Sequence, residues 1–467
     1  MALKRRTGNP RDGSPEIARR RVAVAVSAAA VCGILSLVGC DWARQPSSPA
    51  ISRPNVVLYL IDTMRADRVG AYGYERPTSP NLDRLAEGGA RFERVYAQDS
   101  RTLGSVASLL TSLHTPSHGL TDFGDRIGPD VVTLAQVLDA SGYATGSFIT
   151  NGNAGTLTNL DRGFRHFHDE IKSFRDRNAL RTLPERALFD WLDGLGDGPF
   201  FAYVHTAEPH RPYIPPPPYD LMFDPQYTGP ITGFFKGKDG YRHARASEDV
   251  AHVGALYDGE IRFADEAASR LLHGLEERGL LERTVVIFTS DHGEELHDRG
   301  GWNHGHTLYE ELIHVPLLAS GPGIPAGVRI DVPVQLIDVA PTILELAGVS
   351  PPASFEGESF LGLLRGRDDE HFRKRANFSM STQKPHKVAV IEDRWKAIAS
   401  DDGRFELYDL ARDPNEQTDL SAQEPQQAAR LRAQIESWRN HERAATPESR
   451  PLSRDDEERL RNLGYIE

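Results

Sequence analysis

Two segments more than two hundred residues apart, LIDTMRAD (Leu60 to Asp67) and SDHGEE (Ser290 to Glu295), carry the residue types of one metal site: Asp62 in the first, Asp291 and His292 in the second. Taken singly, each is the ordinary polar residue that follows a strand. As a set, carboxylate oxygens and an imidazole nitrogen delivered by two similar strand ends suit a divalent cation. Each segment is preceded by a short apolar run, NVVLYLI from Asn55 and TVVIFT from Thr284. Such runs read as buried parallel strands, whose carboxyl edge is where open α/β sheets bind ligands.

The rest of the chain supplies elements to hold that edge. Asn81 to Gly88 and Thr133 to Ser141 read as amphipathic helices, Ala144 to Thr150 and Pro199 to His205 as strands, and Asp249 to Arg278 as a long helix. VPLLAS from Val315 is strand-like and Asp338 to Ala347 helical, which continues a β/α alternation. The fold class expected is α/β, a large mixed, mostly parallel sheet between helices. After the charged stretch Arg365 to Arg375 the period changes to two in HKVAVIED, RWKAIAS and RFELYDL, an antiparallel meander, with Pro425 to Arg439 as a helix upon it. This reads as a smaller C-terminal α+β subdomain.

The N-terminus is organised differently. Seven Lys or Arg precede or flank an uncharged stretch from Val22 to Val38 that runs into Leu37-Val38-Gly39-Cys40, the form of a lipoprotein signal peptide with Cys40 as the acylated first mature residue. The alternative is an uncleaved membrane anchor, since seventeen uncharged residues approach a bilayer span. In the lipoprotein reading Cys32 leaves with the signal, so no disulfide forms. The expected organisation is residues 1–39 signal peptide, 40–54 a Ser-, Pro- and Ala-rich tether, 55–370 catalytic domain, 371–445 C-terminal subdomain and 446–467 polar tail. The expected location is an exported, membrane-anchored lipoprotein facing the periplasm or another extracytoplasmic side. Loss of residues 1–39 takes the formal charge from −13 to −18. So acidic a chain is unsuited to nucleic acid and must draw in an anionic substrate locally, through metal and site cations.

PNVVLYLIDTMRADRVGAYGY, TSPNLDRLAEGGARFERVYAQ, SLLTSLHTPSHG, TLAQVLDASGYATGSFITN, HTAEPHRPY, SDHGEELHDRGGWNHGHTLYEELIHVP and ELYDLARDPNEQTDLS resemble the sulfatase family of the alkaline phosphatase superfamily over nearly everything from Pro54 to Glu467. The resemblance implies a hydrolase with a metal at the sheet's carboxyl edge and a nucleophile at the start of a helix. The departure lies at that nucleophile. Where formylglycine sulfatases have Cys or Ser, then Pro or Ala, then Arg at alternate positions, this chain has Thr102, Gly104 and Val106. Thr cannot be converted to formylglycine, so none is expected. Related phosphodiesterases and lipid phosphoethanolamine transferases use a Thr directly on phosphorus, and metal coordination is one way to activate such a hydroxyl. The helix read from Gly104 to Ser112 would add its N-terminal field; otherwise Thr102 is simply an N-cap.

The same resemblance places Asp62, Thr102, Asp291 and His292 at the primary metal. Thr63 stands where the second Asp of the usual pair would be, and His292 moves the preference toward Mn or Zn and away from Ca. Glu208, His210, His304 and His306 are enough for a second, zinc-like site. Alternatively His210 and His304 face the substrate oxyanion and leaving group as catalytic residues. Asp67, Asp258 and Glu260 read as helix caps or supporting partners, while His114, His118 and His205 fit either role. Three functions compete: a metal-dependent hydrolase or transferase of phosphate, phosphodiester or phosphonate esters through Thr102; a strict sulfatase; and a tethered binding protein on a decayed enzyme fold. The retained ligands argue against the last. The substrate is an anionic ester, of a small molecule, lipid or glycan, whose recognition falls to the loops Ala154 to Ser173 and Tyr219 to Ser247.

Overall fold

The computed structural model describes residues 53–169, 184–233, 244, 246–367, 369–441 and 447–462. The expected signal peptide, the Cys40 anchor and nearly all of the tether lie outside the described residues, as do parts of both substrate loops.

Why the sheet forms is plainest in its central strand. In β1 (Asn55–Ile61) every residue is buried. Val56, Leu58 and Leu60 face one apolar cluster, Val57, Tyr59 and Ile61 the other. A strand with two apolar faces must lie inside the sheet, and each buried Val, Leu or Ile contributes roughly 1.5–3 kcal/mol. The other strands are β2 (Ala90–Phe92), β3 (Ala144–Ile149), β4 (His166–Asp169), β5 (Phe200–Thr206), β6 (Thr284–Thr289), β7 (Leu317–Ser320) and β8 (Val328–Ile330). They lie in the order β8-β2-β7-β6-β1-β5-β3-β4, parallel except for β7, which runs against both its neighbours. The mixed, mostly parallel sheet expected from the sequence is therefore present. On one face pack α2 (Thr102–Thr111), α3 (Leu134–Ala140) and α6 (Val339–Leu346); on the other pack α1 (Pro80–Gly88), α4 (Glu185–Asp193) and the 31-residue α5 (Ser247–Glu277).

Register decides what the sheet presents. β1 and β6 pair in parallel with Leu60 opposite Thr289. Asp62, two residues past Leu60, and Asp291, two past Thr289, therefore leave the sheet side by side.

The C-terminal meander is present with one more strand than the sequence indicated: β9 (Asn377–Ser381), β10 (Lys387–Glu392), β11 (Trp395–Ser400) and β12 (Phe405–Asp409) form a four-stranded antiparallel sheet. One face takes Leu431 and Ile435 of α7 (Pro425–His441); the other packs on Tyr96, Leu308 and Leu312. The described residues form one compact unit. Within the segment read as a tail, Glu448–Ser449 pairs with Asp125–Arg126 and Arg454–Asn462 is helical. No helix among the described residues is long and apolar enough to cross a membrane.

Candidate functional site

Asp62, Asp291 and His292 offer ligand atoms that all lie within 4.8 Å of one another, and all three are fully buried. Each carboxylate is half satisfied. Asp291 Oδ1 accepts from the backbone N–H of Thr63 (3.1 Å) and of His292 (3.0 Å), and Asp62 Oδ2 accepts from Asn151 Nδ2 (2.6 Å). Asp62 Oδ1 and Asp291 Oδ2 have no hydrogen-bond partner. His292 Nδ1 lies 2.8 Å from the carbonyl of Gly293, which can only accept, so Nδ1 carries the proton and Nε2 keeps its lone pair. That nitrogen sits 3.5 Å from Asp291 Oδ2 and 4.0 Å from Asp62 Oδ1.

Two buried carboxylates and an imidazole this close together favour a positive charge among them. Burial, and then the neighbouring Asp291 carboxylate, push Asp62 well above the usual carboxylate range. Burial opposes protonation of His292, yet the attraction of Asp291 and Asp62 outweighs it and raises the imidazole. Both shifts point the same way: a positive charge is wanted between these groups. The unmatched oxygens and the Nε2 lone pair fit a divalent ion, as the sulfatase resemblance implies.

Thr102 joins them from the other side. It is the first residue of α2, and its Oγ1 is 3.2 Å from His292 Nε2. The N-cap is Arg101, which makes no side-chain cap, so the alternative role of Thr102 as an N-cap does not hold. The helix also begins two residues earlier than the Gly104 expected, and its first turn is wholly buried. Gly104 and Val106 have local reasons. A Cβ at residue 104 would meet Asp99 Oδ2 at 2.3 Å, and Val106 is sealed in the apolar cluster beneath the sheet.

The histidines expected nearby divide. The His304 ring stands 4.4 Å from that of His292 and 5.1 Å from that of His210. His304 Nδ1 is 2.9 Å from Glu294 Oε1, and His210 Nδ1 is 2.8 Å from the Arg211 carbonyl. Burial holds both imidazoles well below their ordinary pKa, so neither is a cation near neutral pH. His306 instead pairs with Glu295 (2.5 Å), and Glu208 is pushed up to about 7 by burial. Asp62, Asp291 and His292 are the one three-ligand group among the described residues.

His205 Nε2 lies 3.6 Å from Asp62 Oδ2. His118 accepts the Leu120 N–H at Nδ1 and bonds Ser108 at Nε2, bracing the end of α2, and His114 packs on Trp438. Of the supporting acids, Asp67 pairs with Arg65, Asp258 with Arg68 and Arg76, and Glu260 accepts from the Ile214 N–H.

Three residues of the site carried no local signal: Asn151, which orients Asp62 across 89 residues of sequence; Asp99, a buried carboxylate against the first turn of α2; and Glu294, which holds His304. Thr63 is a further mark. A β-branched residue at φ 56° is costly, and it is held there by the Tyr257 hydroxyl on its carbonyl (2.6 Å) and by Asp291 on its N–H.

Comparison with known proteins extends these observations. The family model described as Sulfatase matches residues 54–349, and the C-terminal model of N-sulphoglucosamine sulphohydrolase matches residues 299–441. An arylsulfatase of Clostridium perfringens is 28% identical over 440 residues, covering 79% of this chain and 90% of the relative. An N-acetylglucosamine-6-O-sulfatase of Bacteroides thetaiotaomicron is 22% identical over 483 residues, covering 83% and 85%. Among solved structures, the phosphonate monoester hydrolase of Agrobacterium radiobacter superposes with a TM-score of 0.71 at 23% identity, covering 86% of this chain and all of the other, a likeness of fold.

Proposed function

This chain belongs to the sulfatase family, and from that premise we propose that it hydrolyses phosphodiester, phosphomonoester or phosphonate substrates through an unmodified Thr102, without formylglycine. The observation that supports this most is the Thr102 hydroxyl 3.2 Å from His292 Nε2, at a position whose side chain cannot become an aldehyde. Asp62, Asp291, His292 and Thr102 would hold a divalent ion, Mn or Zn in preference to Ca because one donor is imidazole. Such an ion supplies the positive charge that lowers the cost of an alkoxide and polarises the ester.

The chain's own residues do the positioning. Burial at the start of α2 fixes the Thr102 oxygen, and the N-terminal N–H groups of that helix favour negative charge beside it. Asn151 and the Thr63 N–H hold the two carboxylates with one oxygen of each turned to the site. His304, set by Glu294, and His210 stand where a neutral imidazole can exchange a proton with a leaving group. Sulfuric ester hydrolysis is the second reading, favoured by the arylsulfatase relative.

Thr102→Ala should lower the rate on a phosphodiester by several orders of magnitude while fold and metal content persist, because removing a nucleophile removes the route. Mass spectrometry should find residue 102 unoxidised. Aryl sulfatase activity that survived Thr102→Ala would overturn the assignment.

We also propose export and a lipid anchor at Cys40, supported by the succession of basic, apolar and Leu-Val-Gly-Cys segments. Cys40→Ala should move the protein from the membrane to the soluble fraction; unchanged membrane fractionation and an unprocessed mass identical to wild type would refute it.

A further inference from the structure

Beside the metal cluster lies a cavity of about 360 Å³, within the range of small-molecule pockets, with His210 in its wall. Its polar lining is mostly acidic: Glu208, Asp220 and Glu260 face it, and no Lys or Arg lines it among the described residues. These carboxylates are not spent on the fold. Glu260 is 5% exposed and only its Oε1 is engaged, by the Ile214 N–H at 2.7 Å. Glu208 Oε2 and Asp220 Oδ1 are buried without any hydrogen-bond partner. Burial, and then the neighbouring Glu208 carboxylate, hold the Glu260 carboxyl well above its ordinary range. A cation in the cavity would let the Glu260 carboxyl ionise there.

The remaining walls say what kind of cation. Pro215, Leu256 and Phe263 offer apolar surface, and Phe263 lies 5.7 Å, centroid to centroid, from the Tyr219 ring. A bare metal ion wants converging oxygens or nitrogens, whereas methylene groups ending in an ammonium want acids at the end of an apolar, aromatic-edged pocket.

We propose that this cavity is a specificity subsite for a cationic alkylammonium group on the ester substrate, with Glu260 as its principal counter-charge and Glu208 and Asp220 beside it. The substrate class is then zwitterionic: an anionic ester at the metal cluster and an ammonium a few bonds away, past His210. This rests on the ester hydrolysis proposed above. It also explains how a strongly acidic protein accepts an anionic ester: the substrate's own cation offsets the repulsion.

The test is a matched pair, 4-nitrophenyl 2-aminoethyl phosphate and 4-nitrophenyl propyl phosphate, which differ at the ammonium. Wild-type protein should favour the aminoethyl ester in kcat/KM by about tenfold or more, as expected for a buried charge pair. Glu260→Gln should bring the ratio toward unity and Asp220→Asn should lower it less; a merely structural role would depress both esters together and leave the ratio alone. A wild-type ratio near one, or a ratio unmoved by Glu260→Gln, overturns the subsite. If neither ester is turned over, the catalytic reading fails, and the subsite is judged by thermal shift instead. In that case 2-aminoethylphosphonate should raise the Tm of wild type, and not of Glu260→Gln, more than propylphosphonate does; equal shifts in wild type overturn it.

Discussion

Two carboxylate clusters in this protein are treated in opposite ways. Under the C-terminal sheet, Glu310 and Glu416 share Lys396, which is fully buried with its Nζ 2.8 Å from an oxygen of each. Burial disfavours that ammonium, but the two carboxylates outweigh it and raise its pKa. At the sheet edge, Asp62 and Asp291 are fully buried with ligand atoms within 4.8 Å of one another, and the chain places no Lys or Arg between them among the described residues; each keeps an unmatched oxygen. The first cluster is closed by the chain itself. The second is left one cation short, and that difference separates a structural ion network from a binding site more clearly than burial or charge count.

Removing a ligand from the open cluster should have the largest effect. Asp291→Ala is expected to abolish stoichiometric metal, measured by elemental analysis of protein purified without chelators, and to lower ester hydrolysis by about a thousandfold or more. Retained metal would remove the assignment, and stoichiometric Ca with no Mn or Zn would refute the ligand argument.

The closed cluster should answer in stability instead. Lys396→Met strands the buried Glu416 and the partly buried Glu310 carboxylates, and urea unfolding should show a loss of about 3–5 kcal/mol, with metal content per folded molecule unchanged. A variant as stable as wild type would mean that the two clusters do not differ as described.

The smallest expected effect concerns a buried group with no counter-charge. His118 is held near pKa 3 by burial, against an ordinary value of 6.5. Below about pH 6.5 the unfolded chain takes up a proton there that the native state refuses, so stability falls as pH drops toward the folded value. His118→Asn keeps an acceptor for the Leu120 N–H, and its urea midpoint should change less between about pH 7 and about pH 5 than that of wild type. Equal pH dependence would show that His118 is not a source of acid sensitivity.

Much of this was legible in the chain. The apolar runs at Asn55 and Thr284 specify strands that can lie only inside a sheet, and once they pair in register Asp62, Asp291 and His292 must meet. The short strands Ala90–Phe92, Val328–Ile330 and His166–Asp169 were not, since three or four residues carry too little periodicity to separate from loop. Asn151, Asp99 and Glu294 stayed hidden for another reason: each acquires its role from a contact across the sheet edge or a turn of helix, and nothing in its neighbours' chemistry announces the partner.

The closeness of Asp99 to Gly104 constrains any route by which this chain could take up the Cys or Ser, Pro or Ala, Arg pattern of a formylglycine site. Replacing Thr102 by Cys alone would leave Gly104 and Val106 unlike that pattern. Adding Pro at residue 104 would drive a ring into the Asp99 carboxylate, and adding Arg at residue 106 would push a guanidinium into a sealed apolar cluster. The three changes are therefore not independent steps. Asp99 and the packing around Val106 would have to yield first, which makes the threonine form an epistatically isolated solution that single substitutions do not leave.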